Sequence, residues 1–409
     1  MPSPPSSARL ALMLLALLSA FALSQAFRTV TSILAPSLQA EFALTGRALG
    51  AFAGLFGLSF GVAQLLMGIG VDVYGIRRTV LTAFSLAIAG ALVSALAPSY
   101  GWLMAGQLLI GVGCSPAFLA STLFVARHFP AERFAFFSGV SMGVGGIGLI
   151  MTGTPLAWVV QHTGWRVGFF VLAGLSVASW LTIWWTVHEP PAAYASQAPR
   201  ERWGRALWRM VSLLALPHTW GIVLLGMTGY AAFLALRGLW LGPLLIERFD
   251  FTLVQSGHVA LVLSLIALFT PGVFGRFDPG VRRRRRWITA VATLMAGLFV
   301  LLAFLSGPAA ALAVIVLMGL LSGYGVLQYA DVRASYPSEL TGRALSLYTM
   351  AMFLGVALVQ WASGMVAAWA AEQGWEPYRA VLLAIGAWLA LAAQAFRWLP
   401  ASPLLAPRR

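Results

Sequence analysis

Charge is the scarcest property of this chain. Only 9% of residues are Asp, Glu, Lys or Arg, against about 25% in a water-soluble domain, and lysine is absent altogether. So small a share cannot cover a water-facing surface, which excludes a soluble globular fold. Acidic residues number 12, and none reads as lying in the middle of an apolar run, where a proton relay places its carboxylate. Cysteine occurs once, at Cys114 within an apolar stretch, so no disulfide framework is available inside the chain. The five histidines, His128, His162, His188, His218 and His258, are scattered. None stands in a catalytic or metal-ligand spacing, so no metal, no cofactor and no enzyme active site is expected.

What is abundant is hydrophobicity: 60% of residues, with a mean hydropathy of +0.86. Twelve apolar runs of about 20 residues, each long enough to cross a bilayer, fall near 10–35, 48–70, 79–97, 102–125, 136–160, 167–187, 218–246, 253–275, 287–306, 309–332, 343–369 and 378–398. With the N-terminus inside, 20 of the 26 arginines fall in inner loops and tails, and four, Arg47, Arg166, Arg248 and Arg379, fall outside. This is the positive-inside pattern. It implies a multi-pass protein of a bacterial cytoplasmic (inner) membrane with both termini cytoplasmic. The net charge of +14 is thereby a topology signal and a contact for lipid headgroups, not a nucleic-acid footprint. The run "VRRRRRW" (281–287) reads as a solvated or headgroup-facing loop. The first 22 residues imitate a signal peptide, but the apolar character resumes beyond Ala22, so retention is expected.

The chain also repeats itself. "RHFPAERFAFFSG" (127–139) matches "RASYPSELTGRALSL" (333–347), and "HTGWR" (162–166) matches "EQGWEPYR" (372–379), at offsets of 207 and 210 residues. An all-α membrane protein of two pseudo-symmetric six-helix bundles follows. The expected divisions are 1–187 for the N-terminal bundle, 188–217 for a Pro- and Arg-rich cytoplasmic linker, and 218–409 for the C-terminal bundle.

Two arginines remain, Arg28 and Arg237, and both lie within spans. They stand 209 residues apart, at equivalent places in the two halves. Each costs roughly 2.5–3.5 kcal/mol at mid-helix on insertion scales. Two cations facing one cavity repel each other unless an anion lies between them, and the guanidinium fork suits a carboxylate or phosphate. The competing reading pairs each arginine with a carboxylate or with helix-end carbonyls. The acidic candidates near spans, Asp72, Asp278 and Asp331, read as lying at cytoplasmic ends. Residues three and four apart share a helix face. Around Arg28 this face holds Ser24, Gln25, Thr31 and Ser32, and around Arg237 it holds Trp240, placed to wall the pocket or stack on a guanidinium. Tyr324, Gln328 and Tyr348 are further candidates, with plain helix packing as the alternative for each.

The segment "GIGVDVYGIRRTVL" (68–81) carries Gly68, Asp72, Gly75, Arg77, Arg78 and Leu81. It resembles the loop 2–3 signature of the major facilitator superfamily, G-x-x-x-D-x-x-G-x-R-R-x-x-L, in which the loop gates the conformational cycle. Val73 and Ile76 depart from that pattern. The second-half copy, "GVFGRFDPGVRR" (272–283), retains Asp278, Gly280, Arg282 and Arg283 in altered spacing. In span 4, Gln107 stands where the superfamily commonly has arginine. Within the superfamily, the pair Arg28 and Arg237 resembles the organophosphate:phosphate antiporter branch, where arginines on helices 1 and 7 hold the phosphate.

The resemblance implies a monomeric secondary carrier that moves a small anionic substrate, a carboxylate or phosphate ester, by alternating access. Protons or a counter-anion would be the coupling partner, and membrane lipids its surroundings. Proton-coupled efflux of small apolar compounds and a transporter-like sensor are the alternatives.

Overall fold

The computed structural model describes residues 7–129, 134–188, 208 and 212–405. In hydrocarbon a backbone N–H or C=O finds no water, so a spanning segment must satisfy its own hydrogen bonds. Among the described residues, twelve helices are long and apolar enough to cross a membrane: α1 Ala8–Thr29, α2 Gly46–Gln64, α3 Val73–Ala95, α4 Tyr100–His128, α5 Gly143–Thr163, α6 Trp165–Thr186, α7 Pro217–Arg248, α8 Leu253–Arg276, α9 Val281–Phe304, α10 Pro308–Ser335, α11 Leu340–Glu372 and α12 Pro377–Trp398. Large apolar side chains stand exposed on them, among them Leu12, Trp102, Trp158 and Trp185. Lipid accepts such a wall and water does not.

Packing divides the chain into two units. One comprises Met1–Ala43, Leu55–Ala198 and Phe251–Ser264; the other comprises Leu44–Gly54, Pro199–Asp250 and Leu265–Arg409. Helices α2 and α8 are thus each shared between units. The expected linker 188–217 lies largely outside the described residues.

The duplication read from the loops recurs in backbone geometry within each unit. In the first, Gly148 of α5 lies so close to Ala22 of α1 that an added Cβ would overlap the Ala22 carbonyl. In the second, Gly355 of α11 stands the same way against Met227 of α7, 207 and 205 residues later. Gly111 of α4 meets Ser59 of α2, and Gly323 of α10 meets Thr270 of α8, offsets of 212 and 211. Only a residue without a side chain permits such crossings. Two connections repeat as well. Gly75 (φ 86°, ψ 167°) corresponds to Gly280 (φ 79°, ψ 165°). Gly164 and Gly374, at φ 89° and 71°, form the other pair. This region of backbone space belongs to glycine.

The arginine run 281–287 is not the loop expected of it. Gly280 ends the connection and α9 begins at Val281. Helical spacing then turns Arg284 inward, on the face of Ile288, Ala292, Met295 and Phe299, and it is 8% exposed. Arg282, Arg283 and Arg286 stay exposed. The reason is phase: a helix entered at residue 281 buries every third or fourth position whatever its charge, provided a partner is found.

Candidate functional site

In the first unit, Arg28 sits one residue before the end of α1 and is 8% exposed. The helix resumes at Thr31 with Pro36 inside it. Proline lacks an N–H and crowds the carbonyl four residues back, here that of Ser32, so the turn after the arginine is weakened. The Phe60 ring of α2 stands 5.1 Å from the guanidinium carbon, a cation–π distance. Hydroxyl groups furnish the surroundings. Thr29 and Thr152 share a 2.7 Å hydrogen bond that ties α1 to α5. Ser24 donates to the Cys114 carbonyl at 3.4 Å. Thr31 and Ser32 are buried, and Gln25 is half-buried. The polar face expected around Arg28 is present inside this unit.

In the second unit, Arg237 is 3% exposed and lies in a π-helical turn, Leu236–Trp240, which a second π turn follows at Leu244–Arg248. The Leu241 N–H bonds the Leu236 carbonyl five residues back. Pro243 offers no N–H to the Leu239 carbonyl, so an ordinary α turn has a gap here that the wider turn absorbs. The widening displaces the face that three- and four-residue spacing assigned to Trp240. Trp240 is fastened elsewhere: its Nε1 donates to Ser363 Oγ of α11 at 2.9 Å, and its ring stands edge-on to Tyr378 of α12 at 6.2 Å.

Tyr324, Gln328 and Tyr348 gather into one cluster. The Tyr348 hydroxyl donates to Gln328 Oε1 at 2.5 Å, and a single 3₁₀ turn, Ser322–Tyr324, brings Tyr324 into α10. Gly229 of α7 makes room for Tyr324 and Gln328, and Gly226 for the Tyr348 ring. Arg237 lies eight and eleven residues further along α7. At 1.5 Å per residue these are about 12 and 16 Å along the axis, beyond the length of an arginine side chain. The cluster therefore supports α7 below Arg237 instead of touching its guanidinium.

The segment 68–81 is described in part. Arg77 donates to the Trp184 carbonyl at 2.7 Å and lies 5.0 Å from the ring centroid of the same residue. Arg78 is exposed. Gly68 and the Asp72 side chain lie outside what is described. The second-half loop is complete. Asp278 accepts from the Gly280 N–H at 3.0 Å and pairs with Arg284 at 2.6 Å. The Arg284 guanidinium holds the Asp278 carboxyl below its usual range. The motif arginine of this copy is thus Arg284; Arg282 and Arg283, which spacing suggested, are exposed. At the other loops, Glu41 pairs with Arg166 at 2.6 Å and accepts from Trp165 Nε1 at 2.7 Å. Arg166 first, then Trp165, lowers its pKa. Among the described residues no group of three or more His, Cys, Asp or Glu could hold a metal.

Sequence reasoning missed the inward turn of Arg284; Asp331, which it set with Tyr324 and Gln328 on span 10 and at a cytoplasmic end, is 2% exposed in α10. The signal for Arg284 was the apolar period from Ile288 onward, extended back by one turn.

A family model described as Major Facilitator Superfamily matches residues 16–360. The chain is 24% identical over 186 residues to the hexuronate transporter of Bacillus subtilis, covering 43% of this chain and 43% of that protein. It is 28% identical over 189 residues to the gallate transporter of Pseudomonas putida, covering 44% and 40%. It is 30% identical over 125 residues to facilitated glucose transporter member 10 of Mus musculus, covering 28% and 23%. The chain thus spans less than half the length of these relatives. Among solved structures, a bacterial homolog of the human lysosomal transporter Spinster superposes with a TM-score of 0.78 at 16% identity, over 96% of this chain and 97% of that one. A D-xylose–proton symporter gives 0.74 at 15%, over 96% and 99%. At such identity the likeness concerns the fold.

Proposed function

Because the chain belongs to the major facilitator superfamily and is a multi-pass membrane transporter, we propose that it carries a small organic anion, a carboxylate or phosphate ester, by alternating access. The carrying observation is the pair Arg28 and Arg237: 209 residues apart, 8% and 3% exposed, one in each copy of a duplicated helix. In this reading the two guanidinium forks grip one anionic group near the bilayer midplane. The bound charge offsets the repulsion between them. Hydroxyl groups surround Arg28 and a π turn holds Arg237, each within its own unit. The names of relatives support an anion: hexuronate, gallate and sulfoacetate carriers are among them. The organophosphate branch is one form of this proposal. We also propose the divisions 1–187, 188–217 and 218–409, a bacterial inner membrane with both termini cytoplasmic, and a monomer.

The test is uptake by proteoliposomes of purified protein, offered radiolabelled glucuronate, gallate, glycerol 3-phosphate, xylose and glucose. Saturable uptake of one or more of the three anions, unaffected by excess neutral sugar, supports the reading. Uptake of a sugar with none of the anions transported or competing overturns it.

A further inference from the structure

The two halves carry one ion pair with its charges exchanged. In the first unit Glu41 pairs with Arg166 at 2.6 Å. The residues 207 and 210 positions later are Arg248 and Glu376, and in the second unit these stand 3.8 Å apart. The flanking backbone repeats with them: Ala43 and Asp250 share a positive φ, 49° and 57°, as do Gly164 and Gly374. The exchange alters the tryptophan beside the pair. Trp165 donates its Nε1–H to Glu41 at 2.7 Å, packs against Phe42 at 5.9 Å, and is 4% exposed. The counterpart of that acceptor is Arg248, and a guanidinium accepts no hydrogen bond. Arg248 donates instead to the Ala303 and Leu305 carbonyls at 2.9 and 3.0 Å. Trp375, the counterpart of Trp165, is 59% exposed and stands edge-on to Trp369 of α11 at 5.1 Å. Both indoles line a cleft of about 730 Å³ between the ends of α11 and α12, within the roughly 300–1,000 Å³ of small-ligand sites. Arg379 lines it near the connection; Val366 of α11 and Leu383 and Ala384 of α12 line it a turn further into the spans.

We propose that this cleft binds one anionic phospholipid, with its phosphate on the Arg379 guanidinium and an acyl chain along Val366, Leu383 and Ala384. Arg379 is exposed, its guanidinium carbon lies 5.5 Å from the Phe304 ring centroid, and among the described residues no carboxylate pairs with it. Its planar fork of donors matches a phosphate. Tryptophan at the ends of spans sits at headgroup depth, apolar on its face and polar at its N–H. Bilayer hydrocarbon is as apolar as the trough, so the chain supplies fit and the headgroup supplies selectivity. The ammonium of a zwitterionic headgroup would need a carboxylate, and Glu376 has both oxygens engaged. They accept from the Tyr378 and Arg379 N–H groups at 3.2 and 2.8 Å, capping α12, beside Arg248. Two arginines against one carboxylate leave the cleft positive. The first half offers no equivalent: its indole is buried, and the residue 210 positions before Arg379 is Phe169. The inference uses neither Arg28 nor Arg237 and holds whatever the substrate.

Native mass spectrometry tests it, on the full-length protein delipidated in neutral detergent and titrated with phosphatidylglycerol or phosphatidylcholine. In the tightest binding step, phosphatidylglycerol is expected to bind wild type at least about tenfold more strongly than Arg379→Gln. Ala384→Trp fills the trough, leaves every charge in place, and should weaken the same step. Arg286→Gln, an exposed arginine at the start of α9, should leave it within about twofold of wild type. Phosphatidylcholine should bind wild type more weakly than phosphatidylglycerol does. Binding of phosphatidylglycerol by Arg379→Gln within about twofold of wild type overturns the proposal. So does equal weakening by Arg286→Gln, which would make the effect one of general charge. Phosphatidylcholine matching phosphatidylglycerol on wild type overturns the anionic headgroup, and displacement of the lipid by millimolar inorganic phosphate makes the site one for free anions and overturns the lipid. Ala384→Trp decides if Arg379→Gln does not fold: undiminished binding there overturns the cleft as the site.

Discussion

The arginines differ in what stands around them. Arg284 has a carboxylate and a carbonyl within bonding distance and serves its own loop. Arg28 has an aromatic face and hydroxyl-bearing helices around it. The Asp278 carboxyl is held below its usual range chiefly by Arg284. A carboxylate whose folded pKa is depressed contributes stability above its unfolded pKa and loses it as pH falls through the folded value. Thermal unfolding in detergent is therefore expected to show Asp278→Asn less stable than wild type at pH 7, by about 1 kcal/mol for a partly exposed pair. The two should converge as pH falls through the folded pKa, where the carboxyl becomes protonated in both states. A gap that stays constant as the carboxyl is titrated would contradict the assignment. At this scale Arg28 and Arg237 were legible because charge inside an apolar run is conspicuous and the repeat pairs them. Arg284 was hidden, because five consecutive arginines look alike until a helix phase sorts them.

Among the helices, α7 departs most from regularity, and its departure surrounds Arg237. Pro243 is the physical cause we assign. Pro243→Ala restores an N–H donor, so the π turns should tighten to α geometry and α7 should become no less stable. Each residue drawn into the regular register rotates those before it by about 100°, which aims Arg237 elsewhere. The expected outcome is a melting temperature equal to or above that of wild type, with transport reduced about tenfold or more. Loss of transport together with loss of folding would make Pro243 merely structural. Hydropathy located all twelve spans because twenty apolar residues have no other use. It could not register the π turns, whose cause is one proline among many apolar residues. Nor could it foresee that Tyr324, Gln328 and Tyr348 would form a cluster displaced along α7 from the arginine, since that depends on how α7, α10 and α11 cross at Gly226 and Gly229.

Across the whole molecule, the sequence repeat and the backbone repeat coincide. Loop motifs at offsets of 207 and 210 residues reappear as glycine crossings and positive-φ glycines at nearly the same spacing. Arg28 and Arg237 stand in the first helix of each half, 209 residues apart, which is why the account rests on them. The most direct measurement is equilibrium binding, by calorimetry, of the anion the panel identifies to purified wild type, Arg28→Lys and Arg237→Lys. A point charge cannot replace the bidentate plane, and truncating a buried charge pair typically costs about 2–5 kcal/mol, roughly 30-fold to several thousand-fold in affinity. The account expects both variants to bind at least about 30-fold more weakly while melting within a few degrees of wild type. Binding by either variant within twofold of wild type would contradict it.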